Sequence, residues 1–88
     1  MKRSPDFLLR EVAGSHVVVP VGNAARSFPG MMRLNASGRF LWELLQDEQS
    51  EESLTKALLE RYDVSPEQAA GDVAAFLERI RSVGALND

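Results

Sequence analysis

The period of the hydrophobic pattern changes once along the chain, and that change sets the order of its elements. Phe7 to Val12 is an apolar-rich run, and His16-Val17-Val18-Val19-Pro20-Val21 is a β-branched run with Val17, Val19 and Val21 on one face. Gly14-Ser15 between them offers a Gly-first tight turn, so a hairpin is expected with strands over about 7–12 and 16–21. Pro20 cannot donate to a ladder, which places it near the strand's end or where its missing N–H faces away from a partner. The segment Gly22 to Gly30, bounded by glycines and containing Pro29, reads as a loop, and Met31 to Leu34 as a short third strand.

From residue 36 onward the spacing is helical. Ala36, Phe40, Leu41, Leu44 and Leu45 form one stripe with Trp42 to its side, and Asn35 or Ser37 can cap this first helix, expected over about 36–46. After the polar break Gln46 to Gln49, Ser50 caps a second helix over about 51–62. Glu51 and Glu52 lie in its first turn, and Leu54, Ala57, Leu58 and Tyr62 form its stripe. The third helix, about 66–83, begins with Ser65 as cap, Pro66 at the first helical position and Gln68 completing a capping box, and ends at Gly84. Its buried arc is Ala69, Val73, Phe76, Leu77 and Ile80. The expected fold is α+β: a single domain over 1–88 of the small winged helix-turn-helix type, with a three-stranded antiparallel sheet followed by three helices.

A chain of 88 residues supports one thin core and seldom a deep, water-excluding pocket, which disfavours an enzyme. With no cysteine and a single histidine, His16, it offers no disulfide, thiolate metal site or thiol nucleophile, so no metal or cofactor is expected. The paired acids Glu51-Glu52 and Asp47-Glu48 suit solvated helix starts better than buried acid–base chemistry, and no phosphate-cradling glycine motif occurs. The net charge of −3 is unevenly spread: residues 1–40 carry +4 and residues 41–88 carry −7. A polyanion binder gathers its bases on the recognition element; here the helical half is the acidic one, so nucleic acid is not an expected partner. No apolar run reaches a membrane span and no signal-peptide core is present, which makes the cytoplasm the default location.

The binding signals are stronger. Met31-Met32-Arg33-Leu34 follows an irregular loop and is expected at a sheet edge, where unpaired backbone groups can accept another strand. Alternation allows only one of Met31 and Met32 to point inward; the other can line a surface groove, with Arg33 as a charge-assisted donor beside it. On the third helix Asp72, Arg79 and Val83 border the apolar arc on one side, while Ala70, Ala74 and Arg81 border it on the other, the two alanines allowing close approach of a backbone.

Several blocks of residues also resemble a known family. Val12-Ala13-Gly14 is followed by Val17-Val18-Val19-Pro20-Val21-Gly22, by Leu34-Asn35-Ala36-Ser37-Gly38-Arg39-Phe40-Leu41-Trp42-Glu43-Leu44-Leu45, by Ala57 to Val64 ending in Tyr62-Asp63-Val64, and by Asp72-Val73-Ala74-Ala75-Phe76-Leu77 with Gly84-Ala85-Leu86. This ordered set is similar to the PqqD-like family. The resemblance implies a non-catalytic domain that binds the leader of a ribosomally synthesised precursor peptide and presents it to a modifying enzyme, often a radical S-adenosylmethionine protein. It implies that the leader adds as an antiparallel strand against the third strand, here Met31 to Leu34, and reaches the third helix, here Pro66 to Val83. Arg33, Arg79 and Arg81 are candidate partners for leader carboxylates on charge and wheel position. Two other classes compete: a winged-helix DNA-binding regulator, which the charge split disfavours, and a module that self-associates through the same edge, for example as a homodimer.

Overall fold

The computed structural model describes residues 1–27 and 30–88. In chain order the elements are β1 (Lys2–Arg3), β2 (Phe7–Val12), β3 (Ser15–Pro20), α1 (Ala24–Ser27), β4 (Met32–Leu34), α2 (Ala36–Leu44), α3 (Glu51–Arg61), α4 (Pro66–Ser82) and β5 (Leu86–Asn87). The main sheet is antiparallel in the order β2-β3-β4, and β1 pairs with β5 as a separate two-stranded ribbon. The fold is therefore the expected α+β arrangement of a three-stranded sheet and three principal helices, with two additions. Helix α1 occupies part of the segment expected to be an irregular loop, whose residues Phe28 and Pro29 lie outside the described ones. The ribbon, which carries no length or alternation to mark it in the sequence, joins the two ends of the chain.

The hairpin turn falls one residue earlier than expected, at Ala13 (φ 51°) and Gly14 (φ 81°). Positive φ at both central positions gives the turn a twist that matches its strands, and β2 and β3 pair without a break from Val12↔Ser15 to Phe7↔Pro20. Alanine tolerates this conformation at a cost of about 1 kcal/mol or more. Ala13→Asn, which places the favoured Asn-Gly pair in the turn, is expected to stabilise the protein by about 1 kcal/mol, measured as a shift of the urea midpoint at unchanged m-value.

Of the two faces of β3, the one that carries Val18 enters the core. Val18, fully buried, joins Phe7, Met32 and Leu34 against the helices, whereas Val17 belongs to the opposite face. Val17 is nonetheless 2% exposed. It lies on the central strand between its cross-strand partners Arg10 and Arg33, whose long stems can shield an apolar neighbour while their charges remain in water.

In α2 the buried residues are Gly38, Leu41 and Trp42, continued by Leu45; Ala36 is exposed, and Phe40 and Leu44 are half-buried. Trp42, expected to one side, is thus central. The cause is the ribbon: Arg3 of β1 stacks over the indole at 5.7 Å from its centroid, and its Nη1 donates to the Trp42 carbonyl at 3.0 Å. Leu54 and Leu58 anchor α3, with Ala57 and Tyr62 half-buried. The arc Ala69, Val73, Phe76, Leu77 and Ile80 of α4 is buried as expected. Ser65 accepts from the Gln68 N–H at 3.1 Å, but the reciprocal capping box belongs to α3, between Ser50 and Ser53. After α4, Gly84 (φ 83°) takes the left-handed position, and the Ala85 N–H reaches back to the Ile80 carbonyl at 2.9 Å, so the chain reverses into β5.

Candidate functional site

Hydrogen-bond phase determines which backbone groups the sheet offers to a partner. Residues flanking a two-residue turn exchange both hydrogen bonds, and the pattern alternates from there. Val12↔Ser15 is therefore a bonded pair, as are Arg10↔Val17 and Leu8↔Val19, while Pro20 falls in an unbonded pair with Phe7, where its missing N–H costs nothing. His16 and Val18 then turn their backbone groups toward β4, where they meet Leu34 and Met32. Arg33, opposite Val17, must direct both its N–H and its C=O outward from the sheet. The Arg79 side chain on α4 agrees with this phase, since its Nη2 donates to the Arg33 carbonyl at 2.7 Å.

That hydrogen bond brings α4 alongside the outer edge of β4. Next to this contact a hollow of 250 Å³ opens between α4, which contributes Asp72, Ala75, Phe76 and Arg79 as one stripe at helical spacing, and the start of α2, which contributes Asn35, Ser37, Gly38 and Leu41. A second hollow of 320 Å³, reaching Tyr62, Val64 and Gln68, shares Asn35, Ser37 and Asp72 with the first, so the two form one groove. The groove floor explains the Leu34-Asn35-x-x-Gly38 pattern. Asn35 caps α2 through its Oδ1, which accepts from the Gly38 N–H at 2.8 Å. A Cβ at residue 38 would lie 3.1 Å from that same oxygen and 3.6 Å from the Leu34 side chain, so only glycine leaves the cap and the end of β4 undisturbed.

The candidate residues divide accordingly. Met31 is 58% exposed at the head of β4 and Arg33 is exposed on the outer face, whereas Met32 and Leu34 point into the core at 6% and 5%. The two methionines thus split between surface and core as alternation requires. Of the helix residues, Arg79 reaches β4, and Val83, half-buried, lies on its flank. Ala70, Ala74 and Arg81 do not come to the β4 edge. They lie on the opposite flank of α4, where Arg81 forms a two-point ion pair with Asp88 at 2.9 and 3.1 Å. The hydrogen bonds of that pair hold the Asp88 carboxyl below its usual range and raise the Arg81 guanidinium further. Asp72, which the helical wheel places on the same flank as Arg79, lines the groove together with Phe76 of the buried arc and with Ala75, a residue that the sequence pattern does not single out.

Other hollows lack convergent chemistry. The largest, 840 Å³, opens between the β1–β5 ribbon, the start of β2 and Trp42, and its rim mixes Lys2 and Arg3 with Glu43, Glu48 and Asp88. His16 faces Glu11 across the hairpin at 3.5 Å. Among the described residues no three His, Cys, Asp or Glu side chains gather as a metal site, and no helix is long and apolar enough to cross a membrane.

An open sheet edge lying beside a helix groove is the geometry of domains that accept an extended backbone by β-augmentation. The family model described as coenzyme PQQ synthesis protein D (PqqD) matches residues 15–86, and the chain belongs to that family. Two solved structures share the fold. One is described as TbiB1 in complex with the TbiA(beta) leader peptide, at 21% identity and a TM-score of 0.78, covering 99% of this chain and 95% of that one. The other is described as lasso peptide synthetase B1 complexed with the leader peptide, at 18% identity and a TM-score of 0.76, covering 99% and 96%. A search of curated proteins finds no match.

Proposed function

We propose that this protein is a non-catalytic recognition domain that binds the leader segment of a ribosomally synthesised precursor peptide and presents the peptide to a modifying enzyme. The observation that carries this reading is the outward-facing backbone of Arg33 on an edge strand bordered by the Asp72–Arg79 groove. A leader strand at β4 gains ladder hydrogen bonds from that edge and places alternate side chains toward α4, which separates sequence-tolerant affinity from side-chain selection. A peptide held in this way needs no deep cavity, which suits the small core. Family membership and the two leader-bound neighbours support the same reading.

The test uses the leader of a precursor peptide encoded beside the gene, labelled for fluorescence anisotropy and mapped by amide NMR shifts. Saturable binding with shifts concentrated at residues 31–35 and along the Asp72–Val83 flank of α4 is expected. No binding, or shifts centred on the hollow at Trp42, would refute the proposal.

A further inference from the structure

The groove has a charge at each end and an apolar centre. Asp72 makes no ion pair or side-chain hydrogen bond among the described residues, and Arg79 makes no ion pair there. Between them Phe76 is 8% exposed and Ala75 is exposed. Orientation follows from the contacts. Arg79 meets Arg33, whereas Asp72 shares its hollows with Asn35 and Ala36, which come later in the chain. Strand β4 therefore runs opposite to α4, and a peptide pairing antiparallel to β4 must run in the same direction as α4.

Side-chain alternation then assigns places. In an antiparallel pair, directly opposite residues project to the same face. Arg33 projects to the outer face, so a peptide residue opposite it points away from α4. Residues opposite Leu34 and Met32 point toward the helix. Along α4 these helix-facing side chains meet Asp72 toward the peptide's N-terminal side, Ala75 and Phe76 next, and Arg79 toward its C-terminal side. Seven helical steps from Asp72 to Arg79 span about 10 Å, against about 13 Å for four strand steps, a difference that long side chains span. A strand that pairs at Arg33 takes the carbonyl on which Arg79 now rests, and the guanidinium so released has its donors free for a carboxylate of the peptide.

We propose, resting on the leader-binding reading above, that the groove selects strands by charge polarity. The preferred strand carries, from N- to C-terminus, a basic residue, an apolar residue two positions later and an acidic residue two positions after that.

A random-sequence peptide display library panned on the intact protein tests this without knowledge of the natural partner. Enrichment of the basic–x–apolar–x–acidic order is expected. Arg79→Glu should weaken a selected peptide about tenfold, and replacing the peptide's acid by lysine should recover binding to that variant, which a merely structural role of Arg79 would not produce. Enriched peptides with no acidic preference, with the reverse order, or with affinity unmoved by Arg79→Glu would overturn the polarity and leave edge binding standing. If the wild-type protein enriches no peptide at all, the leader-binding reading itself fails.

Discussion

Arg33→Pro is expected to weaken peptide binding by one to two orders of magnitude while the domain stays folded. The substitution removes the outward N–H of β4 and sets a ring where the peptide's carbonyl must approach. A net hydrogen bond contributes about 1 kcal/mol, and the carbonyl left unpaired costs about 1–3 kcal/mol more. An edge strand accepts proline where its N–H faces away from the sheet, so the stability cost should be about 1 kcal/mol. Arg33→Ala separates the side chain from the backbone group and should retain most of the binding. Met32→Pro is the opposite case. Its N–H faces Val18 and its side chain is buried, so it should disrupt β4 and abolish cooperative unfolding. Anisotropy titrations with a bound peptide, alongside far-UV circular dichroism, read all three. Equal binding by Arg33→Pro and wild type would sink the strand-addition geometry.

Trp42→Ala should be the most damaging single truncation for stability. The side chain is 1% exposed and sits within the core cluster under the β1–β5 ribbon. Large-to-small changes at such aromatic sites cost about 3–5 kcal/mol, a large part of the total stability of a domain this size, about 5–13 kcal/mol. Urea denaturation followed by circular dichroism is the measurement, because Trp42 is the only tryptophan and its removal silences intrinsic indole fluorescence. Trp42→Phe, which keeps an aromatic ring beneath Arg3, should lose much less. A midpoint unchanged in the alanine variant would mean that the ribbon and α2 are not held together by this residue.

The parts of the fold that sequence revealed are those where local chemistry and burial agree. The α4 arc, its Ser65 cap and its Gly84 stop could be read directly because each is a short-range signal. The edge position of Met31 to Leu34 could also be read, since a short strand after an irregular segment has few ways to become central. The β3 register could not, because Val17, Val18 and Val19 are chemically alike and the position of the turn, one residue earlier than Gly14-Ser15, sets which β2 residues they face. Trp42 escaped for a different reason. Its burial depends on Arg3, a contact across 39 positions of the chain to a two-residue strand that local pattern does not announce. At the site, the helical wheel distinguishes two flanks of α4 but offers no means of choosing between them. The contact from Arg79 to Arg33 makes that choice, and it places Ala70, Ala74 and Arg81 away from the groove.

The same Arg79 contact bears on how the protein behaves alone at high concentration. An open edge is a template for any strand, including β4 of another copy, and chains joined in that way precipitate. Arg79 covers one of the few backbone acceptors this edge presents, and its charge repels an identical edge brought toward it. Colloidal stability and ligand choice therefore rest on one guanidinium, so engineering the groove toward a new peptide by removing that cation would also reduce the solubility of the empty domain.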